Sequence, residues 1–88
     1  MKKKPIKKEI RSQIEREWET KSCFVQDNPC CVYMLWTKFR GKEYEAVGVA
    51  RCLPRDTWDG NLGFSIARTR AYRRAHRKIY TDYFLGAE

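Results

Sequence analysis

The segment Cys31 to Cys52 constrains the fold more than any other part of the chain. CVYMLWTKF (Cys31 to Phe39) is rich in β-branched and aromatic residues, as a half-buried strand requires. Phe39-Arg40-Gly41-Lys42 then supplies a turn in which glycine takes positive φ. EYEAVGVARC (Glu43 to Cys52) returns as a second strand. Side chains alternate across a strand, so Tyr44, Ala46, Gly48, Ala50 and Cys52 share one face. Glu43, Glu45 and Arg51 share the other with Val47 and Val49. The first face is nearly bare of side chain, and a helix can approach it closely. A lone hairpin is marginal in water, so this one needs such a helix to be stable.

Two segments can supply helices. Ile6, Ile10, Ile14 and Trp18 recur at i, i+4 spacing, a one-sided apolar stripe on an amphipathic helix from about Pro5 to Glu19. Such a stripe packs on the chain's own sheet or on a partner, and core packing is the commoner use. Lys21 to Pro29 connects this helix to the hairpin, and Cys23 to Gln26 can add a short strand. Leu53 to Gly60 (LPRDTWDG) is a loop, after which Asp59 or Asn61 can cap a second helix from about Leu62 to Tyr83. The order is α-β-β-α, or α-β-β-β-α if Cys23 to Gln26 pairs. The expected fold is α+β, one domain over residues 1–88 with a basic arm at 1–4, and both helices on one face of an antiparallel sheet.

Composition narrows the chemistry. No uncharged stretch approaches the length of a bilayer crossing, and no apolar run follows the charged start. A soluble, cytoplasmic protein without a membrane role is expected. Cys23, Cys30, Cys31 and Cys52 lack the paired spacing of a structural zinc site, and His76 is the only histidine. The thiols are expected to be reduced and to serve packing, with no metal and no cofactor. No glycine-rich phosphate loop and no catalytic carboxylate pair is visible, so no enzyme is expected.

What stands out is charge. Nineteen basic residues against eleven acidic ones give +8. Arg68, Arg70, Arg73, Arg74, Arg77 and Lys78 follow one another with no acid between them. On a helical wheel Phe64, Ala67, Ala71, Tyr72, Ala75 and Ile79 form one face. Arg70, Arg73, Arg74 and Arg77 lie opposite as a ridge. Tyr80 is expected to be exposed beside them, and Tyr72 and Phe84 to pack. Arg68 breaks the pattern and must snorkel or pair with Asp56 or Asp59. Arg70–Arg74 and Arg73–Arg77 set like charges at i, i+4, which costs a few tenths of a kcal/mol per pair. Arginine's planar fork suits phosphate and carboxylate. The ridge is either an ordinary charged surface or an anion-docking one. In the second case Lys78, Tyr80 and the basic residues Lys3, Lys4 and Lys7 join it.

Gly48, Ala50, Cys52, Pro54, Asp56, Trp58, Gly63, Ile66, Ala67, Arg70 and Ala71 form a pattern, G-x-A-x-C-x-P-x-D followed by an aromatic, a glycine and I-A-x-x-R-A. It resembles one found in small bacteriophage and prophage proteins without an assigned activity. The resemblance implies an origin in a phage or mobile element and action inside a bacterial cell. It carries over no catalytic residue. More loosely, an α-β-β-β-α order with a basic, alanine-rich last helix is similar to the double-stranded-RNA-binding domain. That family sets phosphate-binding lysines at the start of its last helix. Here Phe64, Ser65 and Ile66 stand there, so no residues transfer.

Two functions are expected from these features. The first is docking of a DNA or RNA backbone on the arginine ridge. The alternative is a phage-encoded stoichiometric inhibitor, such as an anti-CRISPR or other anti-defence protein, held to an acidic surface of a host protein or nucleoprotein. A homodimer through Trp18, Trp36 or the Tyr83-Phe84-Leu85 tail is compatible with either.

Overall fold

The computed structural model describes residues 6–27, 29–51 and 60–85. Helix α1 (Lys8–Glu17) leads into strands β1 (Glu19–Asp27), β2 (Cys30–Phe39) and β3 (Lys42–Arg51), and helix α2 (Gly60–Tyr83) follows. The strands form one antiparallel sheet in the order β1-β2-β3. The class is α+β, and the order is the α-β-β-β-α alternative.

The elements differ from expectation at their ends. α1 stops at Glu17, because Trp18 is extended (φ −87°, ψ 152°) and turns the chain straight into β1. Trp18 therefore completes the isoleucine stripe from outside the helix. β1 runs far beyond Cys23–Gln26, since pairing with β2 from Glu19↔Lys38 to Asp27↔Cys30 outweighs its modest strand propensity. α2 begins at Gly60, so Asn61 lies inside the helix rather than capping it. Cys52, Asp56, Asp59 and the arm Lys3–Lys4 lie outside the described residues.

The hairpin turn is tighter than its sequence demands. Phe39 pairs with Lys42, leaving Arg40 (φ 50°) and Gly41 (φ 84°) as a two-residue loop with both residues left-handed. Those signs match the type I′ turn that suits the twist of a hairpin. Arg40 carries a non-glycine φ penalty, and its contacts offset it. Its Nε and Nη2 donate to the Glu17 carboxylate at 3.1 and 3.2 Å, and its guanidinium lies over the rings of Phe39, Tyr83 and Phe84. Glu17 is held below the usual carboxylate range, chiefly by that Arg40 bond.

Both helices cover the inner face of the sheet. Cys31, Tyr33 and Leu35 of β2 and Ala46 and Ala50 of β3 pack on Ala67, Ala71 and Ala75 of α2. Ile14 of α1 meets Phe39, Tyr44 and Ile79 in a second cluster. Gly48 shows how close the alanine cluster brings the backbones. A Cβ there would sit 1.9 Å from the Ala67 carbonyl oxygen and 2.5 Å from the Ala71 nitrogen. Cys30 and Cys31 point to opposite faces, Cys31 into the core, where burial pushes its thiol up and leaves less thiolate.

Candidate anion-binding cleft

The arginine ridge divides into two sets with different roles. Arg70 Nη1 donates to the Val49 carbonyl at 2.5 Å and Arg74 Nη1 to the Val47 carbonyl at 2.6 Å, while Lys78 Nζ donates to the Glu45 carbonyl. β3 is an edge strand, and these are carbonyls of every second residue along it. The two repeats match in length. Four helical residues advance about 6.0 Å, and two strand residues advance about 6.7 Å. As α2 ascends by four residues the bonded carbonyl descends by two, so α2 runs antiparallel to β3. The three long side chains cover a sheet edge that would otherwise offer unpaired carbonyls to another chain.

Arg70 and Arg74 are exposed like Arg73, as expected of the ridge, and so is Lys78; what the three have in addition is a hydrogen bond each to the β3 edge. A helical wheel cannot show it, because a wheel treats everything opposite the core as solvent. The same blind spot explains Tyr80, which was expected to be exposed and is only 7 % exposed. α2 has two buried sides, one against the sheet and one against α1 and Trp18. Trp18 stacks on His76 at 5.0 Å with 12° between the planes and meets Tyr72 edge-on at 5.7 Å. Tyr80 continues that side, with the Arg77 guanidinium over its ring at 5.5 Å. Arg68 snorkels over Tyr72 at 4.4 Å. Phe64, expected in the core, is 37 % exposed and meets the rings of Phe24 and Tyr33 in T-shaped contacts. Phe84 packs against the second core cluster as expected.

The second set faces a cleft. Arg73 and Arg77 of α2, Arg11 of α1, His76 and Ile6 line an open cavity of about 360 Å³ where the start of α1 crosses the middle of α2. Lys7 stands one turn before Arg11, and its carbonyl accepts the Arg11 backbone N–H at 3.1 Å. No carboxylate is among the described residues that line the cleft. Arg11 has no counterpart in the ridge as the sequence presents it. Its only signal was its place one position past Ile10 on the stripe's flank, which says nothing about α2.

His76 forms the floor. Its side chain is 8 % exposed, and Nε2 lies 3.1 Å from Glu15 Oε1, near enough for charge attraction but without hydrogen-bond geometry. Burial holds the imidazole below its ordinary value of 6.5, Arg11 adds to that, and Glu15 opposes both. Next to the cleft, beyond Arg77, Asp82 accepts bonds from Lys42 Nζ and Tyr44 Oη, both at 2.7 Å. Lys42, and then Tyr44, hold Asp82 below the ordinary carboxylate range. That carboxylate is therefore already engaged.

Among the described residues no group of three His, Cys, Asp or Glu side chains comes together as metal ligands. Among those residues, no helix is long and apolar enough to cross a membrane. Compared with family models, curated proteins and solved structures, the chain matches none. The class is therefore defined by the fold alone, a small α-β-β-β-α domain with a basic cleft between its helices.

Proposed function

We propose that the protein binds the phosphate backbone of a nucleic acid in the cleft between α1 and α2, through Arg11, Arg73 and Arg77, with Lys7 at the rim. The observation that carries this reading is that three guanidinium groups from two helices line one open cavity. Guanidinium forks bind phosphate oxygens in pairs, and each neutralised phosphate releases condensed counterions. Contacts of this kind position a duplex or single strand and carry little sequence information. The Lys3–Lys4 arm, continuous in sequence with Lys7, would extend the contact. From the phage resemblance, the proposed place of action is the cytoplasm of a bacterial host.

Four phosphate contacts predict a log–log salt slope of about −3.6 on duplex DNA. Replacing Arg11, Arg73 and Arg77 by alanine should leave a slope of about −0.9. Replacing Arg70 and Arg74 should change the slope by less than one unit, because those side chains are spent on β3. Binding to labelled duplex DNA, duplex RNA and single strands across roughly 50 to 500 mM salt decides it. A flat salt response, or a loss shared equally by both variants, overturns the proposal. Arginine forks bind carboxylates as well as phosphates. Absent nucleic-acid binding, the same cleft points to the acidic surface of a host protein, as an inhibitor would need.

A further inference from the structure

The outer face of the sheet is uncovered. Val25, Met34, Val47 and Val49 are 39–46 % exposed there, and Val32, Trp36 and Cys23 complete the patch. The pairing register sets these side chains in rows across β1, β2 and β3: Asp27–Cys30–Arg51, Val25–Val32–Val49, Cys23–Met34–Val47, Lys21–Trp36–Glu45 and Glu19–Lys38–Glu43. Three basic residues (Lys21, Lys38, Arg51) against four acidic ones (Glu19, Asp27, Glu43, Glu45) make this face −1, on a chain of +8. The excess positive charge therefore lies elsewhere. Nothing about this face suits an anionic backbone, and its charges nearly cancel.

The arrangement of those charges identifies the occupant. We infer that the outer sheet face binds a second copy of this chain, sheet to sheet, about a two-fold axis parallel to β2 and passing over Met34. Such an axis exchanges the two edges of the sheet and keeps the rows. Lys21 then faces Glu45 of the other copy, and Asp27 faces Arg51, each pair occurring twice. Val25 faces Val49, Cys23 faces Val47, Met34 and Lys38 meet their own images, and Glu19 faces Glu43, so the last row opposes like charges. The opposite choice, an axis across the strands, sets Arg51 against Glu43 but Asp27 against Glu19, and it leaves Lys21 and Glu45 facing Val25 and Val49. Two of the five rows are antisymmetric in charge, and the first axis makes four attractive pairs of them against three like-charge pairs in the last row, whereas the second axis makes two of each. Lys21 lies over Trp36 at 5.7 Å, which holds its ammonium at the rim of the apolar patch. Packed sheets stand about 10 Å apart with strands within about 30° of parallel, a span that lysine and arginine side chains bridge. The interface is isologous, and both basic clefts remain on the outside of the dimer.

Mass measured by light scattering and sedimentation from about 1 µM to about 1 mM tests this directly. The wild-type chain should reach twice its 10.5 kDa. Met34→Asp should remain a monomer across the range with an unchanged far-ultraviolet spectrum. Lys21→Glu and Glu45→Lys should each weaken the dimer about tenfold or more, and the double variant should return to within about threefold of wild type. Recovery in the double variant is what an interface about the other axis, or on another face, would not produce. A wild-type chain that stays monomeric at the highest concentration overturns the inference. So does a Met34→Asp dimer, or a double variant as weak as the singles. None of these outcomes bears on nucleic-acid binding, which uses the opposite side of the molecule.

Discussion

Gly48→Ala adds one methyl group at the tightest point of the fold, and the cost can be worked from the geometry. The new Cβ would lie 1.9 Å from the Ala67 oxygen, whereas an ordinary contact begins near 3.4 Å, so about 1.5 Å must be found. The obstructing atoms belong to the α2 backbone, which has no rotamer to change. Either α2 lifts off β3 or the sheet bends away. A gap of that size forfeits a quarter to a half or more of the dispersion energy along the alanine face. Overpacking of this kind costs about 1–3 kcal/mol, and here the upper part of that range applies because the clash is with main chain. Alanine's smaller backbone entropy returns about 0.5–1 kcal/mol. The net loss is about 1–2.5 kcal/mol, from a total of about 4–13 kcal/mol for a domain of this size. Thermal unfolding followed by circular dichroism should show Tm lower by about 4–20 °C. Gly41→Ala is the control, since its φ of 84° is strained for alanine but nothing lies within 4 Å. It should lose about 1–2 kcal/mol through backbone strain alone. A Gly48→Ala Tm within about 3 °C of wild type would refute the close approach of α2 to β3.

Two further predictions concern the cleft and the covered edge. Because burial holds His76 below 6.5, the unfolded chain binds its proton first as pH falls. Stability should therefore be full above about pH 6.5 and decline as pH drops through the lower folded value. Tm measured from about pH 7.5 to about pH 5.5 should fall, and His76→Phe, which keeps a ring against Trp18, should flatten that slope. An unchanged slope would mean that His76 is not the group responsible. Replacing Arg70, Arg74 and Lys78 together by alanine removes three bonds at an exposed edge, each worth about 0.5–1 kcal/mol. The larger effect should be on solubility, because the β3 carbonyls become open to pairing with other chains. Light scattering on warming should rise earlier than in the Arg11, Arg73 and Arg77 variant, and equal behaviour would count against the edge-covering role.

Most of the architecture was legible because it rests on local periodicity. The alternation from Tyr44 to Ala50 names the inner face of β3, and the structure buries those residues as that pattern requires. Ile10, Ile14 and Trp18 pack inward as their spacing implies. β1 was only half legible, since Glu19, Lys21 and Ser22 have no strand preference and owe their conformation to the ladder with β2. For the site, composition singled out α2 correctly as the basic element but grouped its cations by helical angle. Arg70 and Arg73 differ little in angle and wholly in role, because one looks over β3 and the other over α1.

The sequence by itself determined the α+β class, the hairpin and its faces, and the run of basic residues on the last helix. Each follows from the period of a strand or helix, which is a property of neighbours along the chain. Only the tertiary structure decided which cations meet carbonyls and which line a cleft. It alone brought Arg11 to Arg73 and Arg77, sealed Tyr80, and left the β-sheet's outer face bare with two of its rows antisymmetric in charge across β2. Those outcomes depend on how α1 crosses α2 and on the register of three strands, and neither is encoded in any local stretch of residues.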